Sequence, residues 1–174
     1  AFALLQENAR INQRVNVDLY WACAAEAPRT IGLRRFNSAA STNYAGMSLK
    51  AMQDAPSGGE YEVPLLTIDS LRLARLDLMK IDVEGMEKEV LDGASQAIAR
   101  LKPTICAECN SILAGLRLLE WCMANQYDCF GFLTEAFNPN NFKGATENIF
   151  DHSREFNFLL LPNGCTAPTA DVPV

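Results

Sequence analysis

Asp82, Glu84 and Glu108 are the side chains best placed to do chemistry. Asp82 and Glu84 stand in Lys80-Ile81-Asp82-Val83-Glu84-Gly85, and Glu108 stands in Cys106-Ala107-Glu108-Cys109-Asn110. Both stretches close apolar, strand-like runs, and ligands of an open α/β sheet bind beyond the carboxyl ends of its strands. Neighbouring strands lie about 4.8 Å apart, so Asp82 and Glu108 could face each other across a pocket mouth. Carboxylates there can contact a ligand amine or hydroxyl, or take up its proton. Lys80 shares a face with Asp82, because side chains two apart along a strand point the same way. A lysine inside a central strand is costly unless paired. One reading is therefore an ion-pair network of Lys80, Asp82 and Glu108 that only satisfies buried charge. The other has Asp82 touching a ligand and Lys80 tuning it. Gly85 suits a positive φ, a close backbone approach or a plain turn.

Other constellations are weaker. The six cysteines lie inside apolar, element-like stretches, which fits reduced thiols of a cytosolic protein better than a disulfide framework. Cys106 and Cys109 form one C-x-x-C without a second pair, and the single histidine, His152, is far off in sequence, so no zinc site is assigned. Asp82, Glu84 and Glu108 could hold a hard cation, but strand-end carboxylates are common and no metal is assigned. His152 reads as a surface residue, Trp21 and Trp121 as core aromatics. Glu84, Glu87, Lys88 and Glu89 read as a solvated first helical turn, with acids favoured near the positive end of the helix dipole.

The elements that must position these residues follow from periodicity. Residues 1–13 read as an amphipathic helix, 16–24 as an alternating strand, and 30–36 as a weaker strand. Residues 37–60 are a long irregular stretch, the kind of loop that often carries function. Residues 61–68 read as an edge or irregular strand because of Pro64. The clearest strand covers 76–83, followed by a helix over 86–101 that Lys102-Pro103 stops. A short buried strand spans 104–108, a second helix 112–126, and strands 127–133 and 156–161 close the pattern. The alternation implies an α/β fold with a mostly parallel sheet and an antiparallel C-terminal pair. One domain is expected over 1–162, with a frayed tail over 163–174.

Composition narrows the function. The 174 residues carry 15 Lys+Arg against 21 Asp+Glu, a net charge of −6, and are 49% hydrophobic. That balance argues against nucleic-acid binding, which needs clustered basic residues. No apolar run approaches the length of about 20 residues that spans a bilayer, and no charged-then-apolar leader is visible. A cytoplasmic location without membrane contact is the expectation.

The central residues carry a resemblance. Leu76-Asp-Leu-Met-Lys-Ile-Asp-Val-Glu-Gly85, then Glu87, Val90-Leu91, Gly93-Ala94, Lys102-Pro103 and Glu108, resembles the FkbM-type methyltransferase family, whose centre reads roughly DLLKIDVEGxExxVLxGA…KPxIxxE. Weaker agreements flank it: Leu5 to Asn12 with LxxNxxxN, Asn43 to Leu49 with NxxGxSL, and Thr67 to Leu71 with TLDxL. The resemblance implies a Rossmann-like sheet of the class I methyltransferase type and methyl transfer from S-adenosylmethionine to a small-molecule hydroxyl acceptor, a sugar or a secondary metabolite. It implies that Asp82 and Ala24 line the cofactor site. Glu84, Asn43 and Ser48 would border the acceptor, and Asp82 or Glu108 would take its proton. The glycine-rich cofactor loop is not evident, since none of the ten glycines forms a G-x-G. The chain is thus expected to be an N-terminally truncated domain with impaired cofactor binding. Exposed sheet edges would favour a homo-oligomer. The alternative function is a non-catalytic oligomerising module.

Overall fold

The computed structural model describes residues 2–33, 61–151 and 153–166. The order is α1 (Phe2–Ile11), β1 (Cys23–Ala24), β2 (Arg29–Leu33), β3 (Tyr61–Leu66), a 3-10 turn (Ile68–Leu71), β4 (Leu78–Ile81), α2 (Glu87–Asp92), α3 (Ser95–Leu101), β5 (Thr104–Glu108), α4 (Ile112–Asn125), β6 (Tyr127–Glu135) and β7 (Arg154–Pro162). Asn43, Ser48, His152 and the end of the tail lie outside the described residues.

The strands form a three-stranded sheet, β1-β3-β2, and a four-stranded sheet, β4-β5-β7-β6. β4 and β5 are parallel, while β5 and β6 each run antiparallel to β7. Thus β4, β5 and β6 share one direction and β7 alone opposes them. The mostly parallel sheet expected from the sequence is corrected to a mixed one, because β7 inserts between β5 and β6. The α4 crossover keeps β6 in the sense of β5, and the long loop after β6 returns the chain into the gap between them.

Three local expectations also change. The strand over 16–24 shrinks to Cys23–Ala24, since among the described residues only those two pair with a neighbour, Leu65 and Leu66 of β3. Trp21 is 55% exposed, whereas Trp121 is buried. β3 is the central strand of its sheet despite Pro64, which β2 faces at Thr30. The other side is spared because β1 pairs only Leu65 and Leu66, so the missing proline N–H breaks no ladder with β1.

The helix over 86–101 is two helices meeting at Gly93-Ala94. A Cβ at position 93 would lie 2.0 Å from the Ala25 carbonyl oxygen, so glycine lets this corner press against the chain leaving β1. The second helix has no cap from its own segment. Asp69, in the 3-10 turn, supplies one: its carboxylate accepts from the Gln96 and Ala97 N–H groups at 3.0 and 2.8 Å. This satisfies donors that every helix start leaves open. The Asp69 N–H in turn donates to the Gly93 carbonyl at 3.0 Å.

The main core lies on one face of the four-stranded sheet. Met79, Ile81, Ile105, Ala107, Phe158 and Leu160 face Val90, Leu91, Ala94 and Ile98 of α2 and α3 with Leu118, Trp121 and Cys122 of α4. This burial is the dominant stabilising term, about 25 cal/mol per Å² of apolar surface removed from water. Ala25, Ile31, Val63 and Leu65 form a smaller cluster in the other sheet. Alternation puts Lys80, Cys106 and Glu108 on the face opposite the main core.

Candidate functional site

β4 ends at Ile81, and the chain turns through Glu84 (φ 53°) and Gly85 (φ 97°). Two consecutive left-handed residues reverse the chain within a short loop, and glycine carries the second at low steric cost. The turn is held by Glu87, whose Oε1 accepts the Gly85 N–H at 2.8 Å. Glu87 is 2% exposed, so the expectation of a solvated acid is corrected at this position. Its carboxylate is used to shape the loop that presents Asp82 and Glu84.

Across the parallel ladder, Lys80 pairs in register with Cys106 and Ile81 with Ala107. One step further on, the strand ends set Asp82 beside Glu108, as their spacing predicts. Lys80 Nζ lies 3.9 Å from Asp82 Oδ2 and 3.8 Å from Glu108 Oε2. Single carboxylate oxygens of Asp82, Glu84 and Glu108 all lie within 4.8 Å of one another. Asn110 donates its side-chain amide to Glu84 Oε2, tying the two loops together.

The Lys80 side chain is 47% exposed, so the ammonium is not the buried charge anticipated from a central strand. Long contacts between exposed groups contribute about 0–1 kcal/mol. Stability alone therefore gives little reason to set two acids beside one base with a third acid next to them. Glu108 is the least exposed partner of the ion pairs, at 20%. Burial, with Asp82, Glu155 and Glu84 adding to it, pushes its carboxyl above the usual range, and Lys80 opposes the shift. A carboxylate so placed takes up a proton more readily than an ordinary one.

Ala24 lies in the other sheet, partly buried against the main core. The sequence reading missed Asn110, Glu155 and Asn157 as site residues. Asn110 sits only two positions after Glu108, a signal that was available. Asn157 stands opposite Glu108 because β7 pairs with β5, and no local pattern announces that pairing. Cys106 and Cys109 do not form a ligand pair: Cys109 packs in the main core, whereas Cys106 stands beside Lys80 on the other face.

Comparison with known proteins decides the family. Residues 3–156 match the model of the methyltransferase FkbM domain, most of the 174-residue chain. The chain belongs to this family. No curated protein and no solved structure matches it. The chain thus carries a methyltransferase domain on an α/β fold with mixed sheets. Much of the family-like central stretch is structural here: Ile81, Val90, Leu91 and Ala94 are core, Glu87 closes the loop and Gly93 permits the helix corner. Asp82, Glu84 and Glu108 are left at the strand ends, Asp82 exposed and the two glutamates partly buried. Among the described residues no helix is long and apolar enough to cross a membrane.

Proposed function

We propose that the domain transfers a methyl group to the hydroxyl of a small molecule, a sugar or a secondary metabolite, with S-adenosylmethionine as cofactor. The observation that carries this reading is the gathering of Asp82, Glu84 and Glu108 at the carboxyl ends of two parallel strands, with a half-exposed Lys80 beside Asp82 and Glu108. S-adenosylmethionine, when bound, supplies a methyl group on a cationic sulfur. The donor set suits a cation, since three acids outnumber the single ammonium beside them. Asp82, at the end of β4, is the residue assigned to the junction of cofactor and acceptor, with Ala24 on the cofactor side. Glu108 is the proton acceptor: its raised carboxyl takes the hydroxyl proton on Oε1 or Oε2 while Lys80 limits how far that shift goes. Glu84, held by Asn110, borders the acceptor, and Asn43 and Ser48 belong to the same acceptor side by resemblance.

Calorimetric titration of S-adenosylhomocysteine tests the cofactor side. Micromolar binding that Asp82→Ala weakens is the expected result, and no binding overturns cofactor use by this chain. The six cysteines are free thiols, which supports a reducing, cytoplasmic setting.

A second reading is association of copies through the sheet. Leu78, Phe130 and Phe132 stay exposed on the face opposite the main core. Light scattering tests it: a dimer or larger assembly is expected, and a monomer at high concentration overturns it.

A further inference from the structure

The end of α4 folds back over the start of β6 and brings two thiols together. The helix closes at Asn125, and the N–H of Gln126, a left-handed residue with φ 62°, donates to the Cys122 carbonyl. β6 then begins at Tyr127. Tyr127 and Cys129, two apart on the strand, share the face that meets the main core, since Cys129 stands beside Leu160 and Leu160 beside Ile105. The first rung between helix and strand is aromatic. The Trp121 and Tyr127 rings lie 5.5 Å apart, and the Tyr127 hydroxyl donates to the Pro103 carbonyl at 3.0 Å. The second rung sets Cys122 against Cys129, joined by a hydrogen bond between their side chains. Cys122 is 2% exposed inside the core. Cys129 packs on that core from the edge strand of the sheet and is only partly buried.

The contact sorts the two thiols. The hydrogen bond from Cys122 favours the thiolate of Cys129 and holds that thiol below its ordinary pKa, against the opposing effect of burial. The same bond, then burial, then the charges of Cys129 and Asp128, push Cys122 up. A thiolate is the attacking species in thiol–disulfide exchange, and partial exposure lets a small oxidant reach it. A reachable thiolate backed by a buried thiol is the arrangement of an attacking and a resolving cysteine. Among the described residues the other cysteines are placed differently. Cys109 donates to the Ser111 carbonyl at 3.1 Å, and Cys106 stands beside Lys80 on the opposite face of the sheet. Cys23 lies in the other sheet, where burial raises its pKa. Cys165 is exposed beyond the end of β7.

We infer that Cys122 and Cys129 are a redox pair that closes into a reversible disulfide between α4 and β6 on meeting a low-molecular-weight disulfide such as oxidised glutathione. Cys129 Sγ attacks one sulfur of the small disulfide, whose S–S bond breaks and releases one thiol. Cys122 then gives up its proton and attacks Cys129 Sγ, releasing the second thiol. Two protein thiols are thereby oxidised to one S–S bond, and the small disulfide is reduced to two thiols that carry the two protons. The bridge pins the last turn of α4 to the edge of the sheet.

The test incubates the full folded chain with oxidised glutathione, alkylates the remaining thiols in urea, and maps the peptides by mass spectrometry. The expected product is one bridge joining Cys122 to Cys129, with Cys23, Cys106, Cys109 and Cys165 alkylated, and dithiothreitol returns all six thiols. No oxidation of the folded chain overturns the inference. So does a glutathione adduct on Cys129 that never closes onto Cys122, or a bridge that runs to Cys165. Cys165→Ser lies at an exposed position where folding is not at stake, and it is expected to leave the yield of the bridge unchanged. Loss of the bridge in that variant overturns the direct pairing. Cys129→Ser is expected to keep Cys122 reduced. A glutathione adduct on Cys122 in that variant overturns the assignment of Cys129 as the attacking thiol.

Discussion

Lys80 and Glu108 meet across the β4–β5 ladder with Nζ and Oε2 3.8 Å apart, while Asp82 shares the same ammonium at 3.9 Å. One cation stands between two acids, and it is the counterweight to the forces that raise the Glu108 carboxyl. Lys80→Met removes that counterweight. The Glu108 carboxyl is then expected to hold its proton to higher pH, read from its side-chain carbon shift across a pH titration. Under the proposed mechanism the rising limb of the pH–rate profile moves the same way. A Glu108 titration unmoved by the substitution counts against the coupling.

The same shift has a stability sign. A carboxyl raised in the folded state binds its proton more tightly there than in the unfolded chain. Its contribution is full below the ordinary carboxylate range and is lost as pH rises through the Glu108 value. Glu108→Gln carries no ionisable group, so it escapes that loss. Its Tm is expected to exceed that of the parent near neutral pH. The difference should vanish under acid conditions. Equal melting curves at neutral pH refute it.

Asp69 caps α3 across 27 and 28 residues of sequence through Gln96 and Ala97. Asp69→Ala is expected to cost about 1–2 kcal/mol, in the range of lost N-caps. Asp69→Asn keeps one acceptor oxygen and should recover part of that loss. Urea unfolding of the two variants provides the measurement, and an alanine variant as stable as the parent would show the cap to be idle.

Gly93→Ala tests the helix corner. The new methyl would sit 2.0 Å from the Ala25 carbonyl oxygen and 3.0 Å from the carbonyl carbon, both backbone atoms. The chain must move apart, at a cost of about 1–3 kcal/mol for overpacking of this kind. Chemical denaturation should show the loss.

The stretch from Leu76 to Glu108 was largely legible in the sequence. Period-two alternation marks β4 and β5, helical spacing marks α2 and α3, and Lys102-Pro103 marks where the helix must stop. The facing of Asp82 and Glu108 followed from two strands of matched length ending together. Residues 16–22 misled, because their alternation looks like a strand while no strand among the described residues pairs with them. Glu87 misled for the opposite reason: an acid in a first helical turn is usually solvated, and its burial depends on the Gly85 N–H waiting beneath it.

By itself, then, the sequence determined the local conformations in the centre of the chain, the acids at the strand ends and the family to which they belong. Those are properties of neighbouring residues and of short periods, which a linear pattern encodes. The tertiary structure alone decided that β7 enters between β5 and β6, that Asp69 caps a distant helix, and that Gly115 and Gly131 leave room for the Phe158 and Phe156 rings. Each of these depends on which segments meet across long stretches of chain. Periodicity states which face of an element is buried, but not which partner buries it.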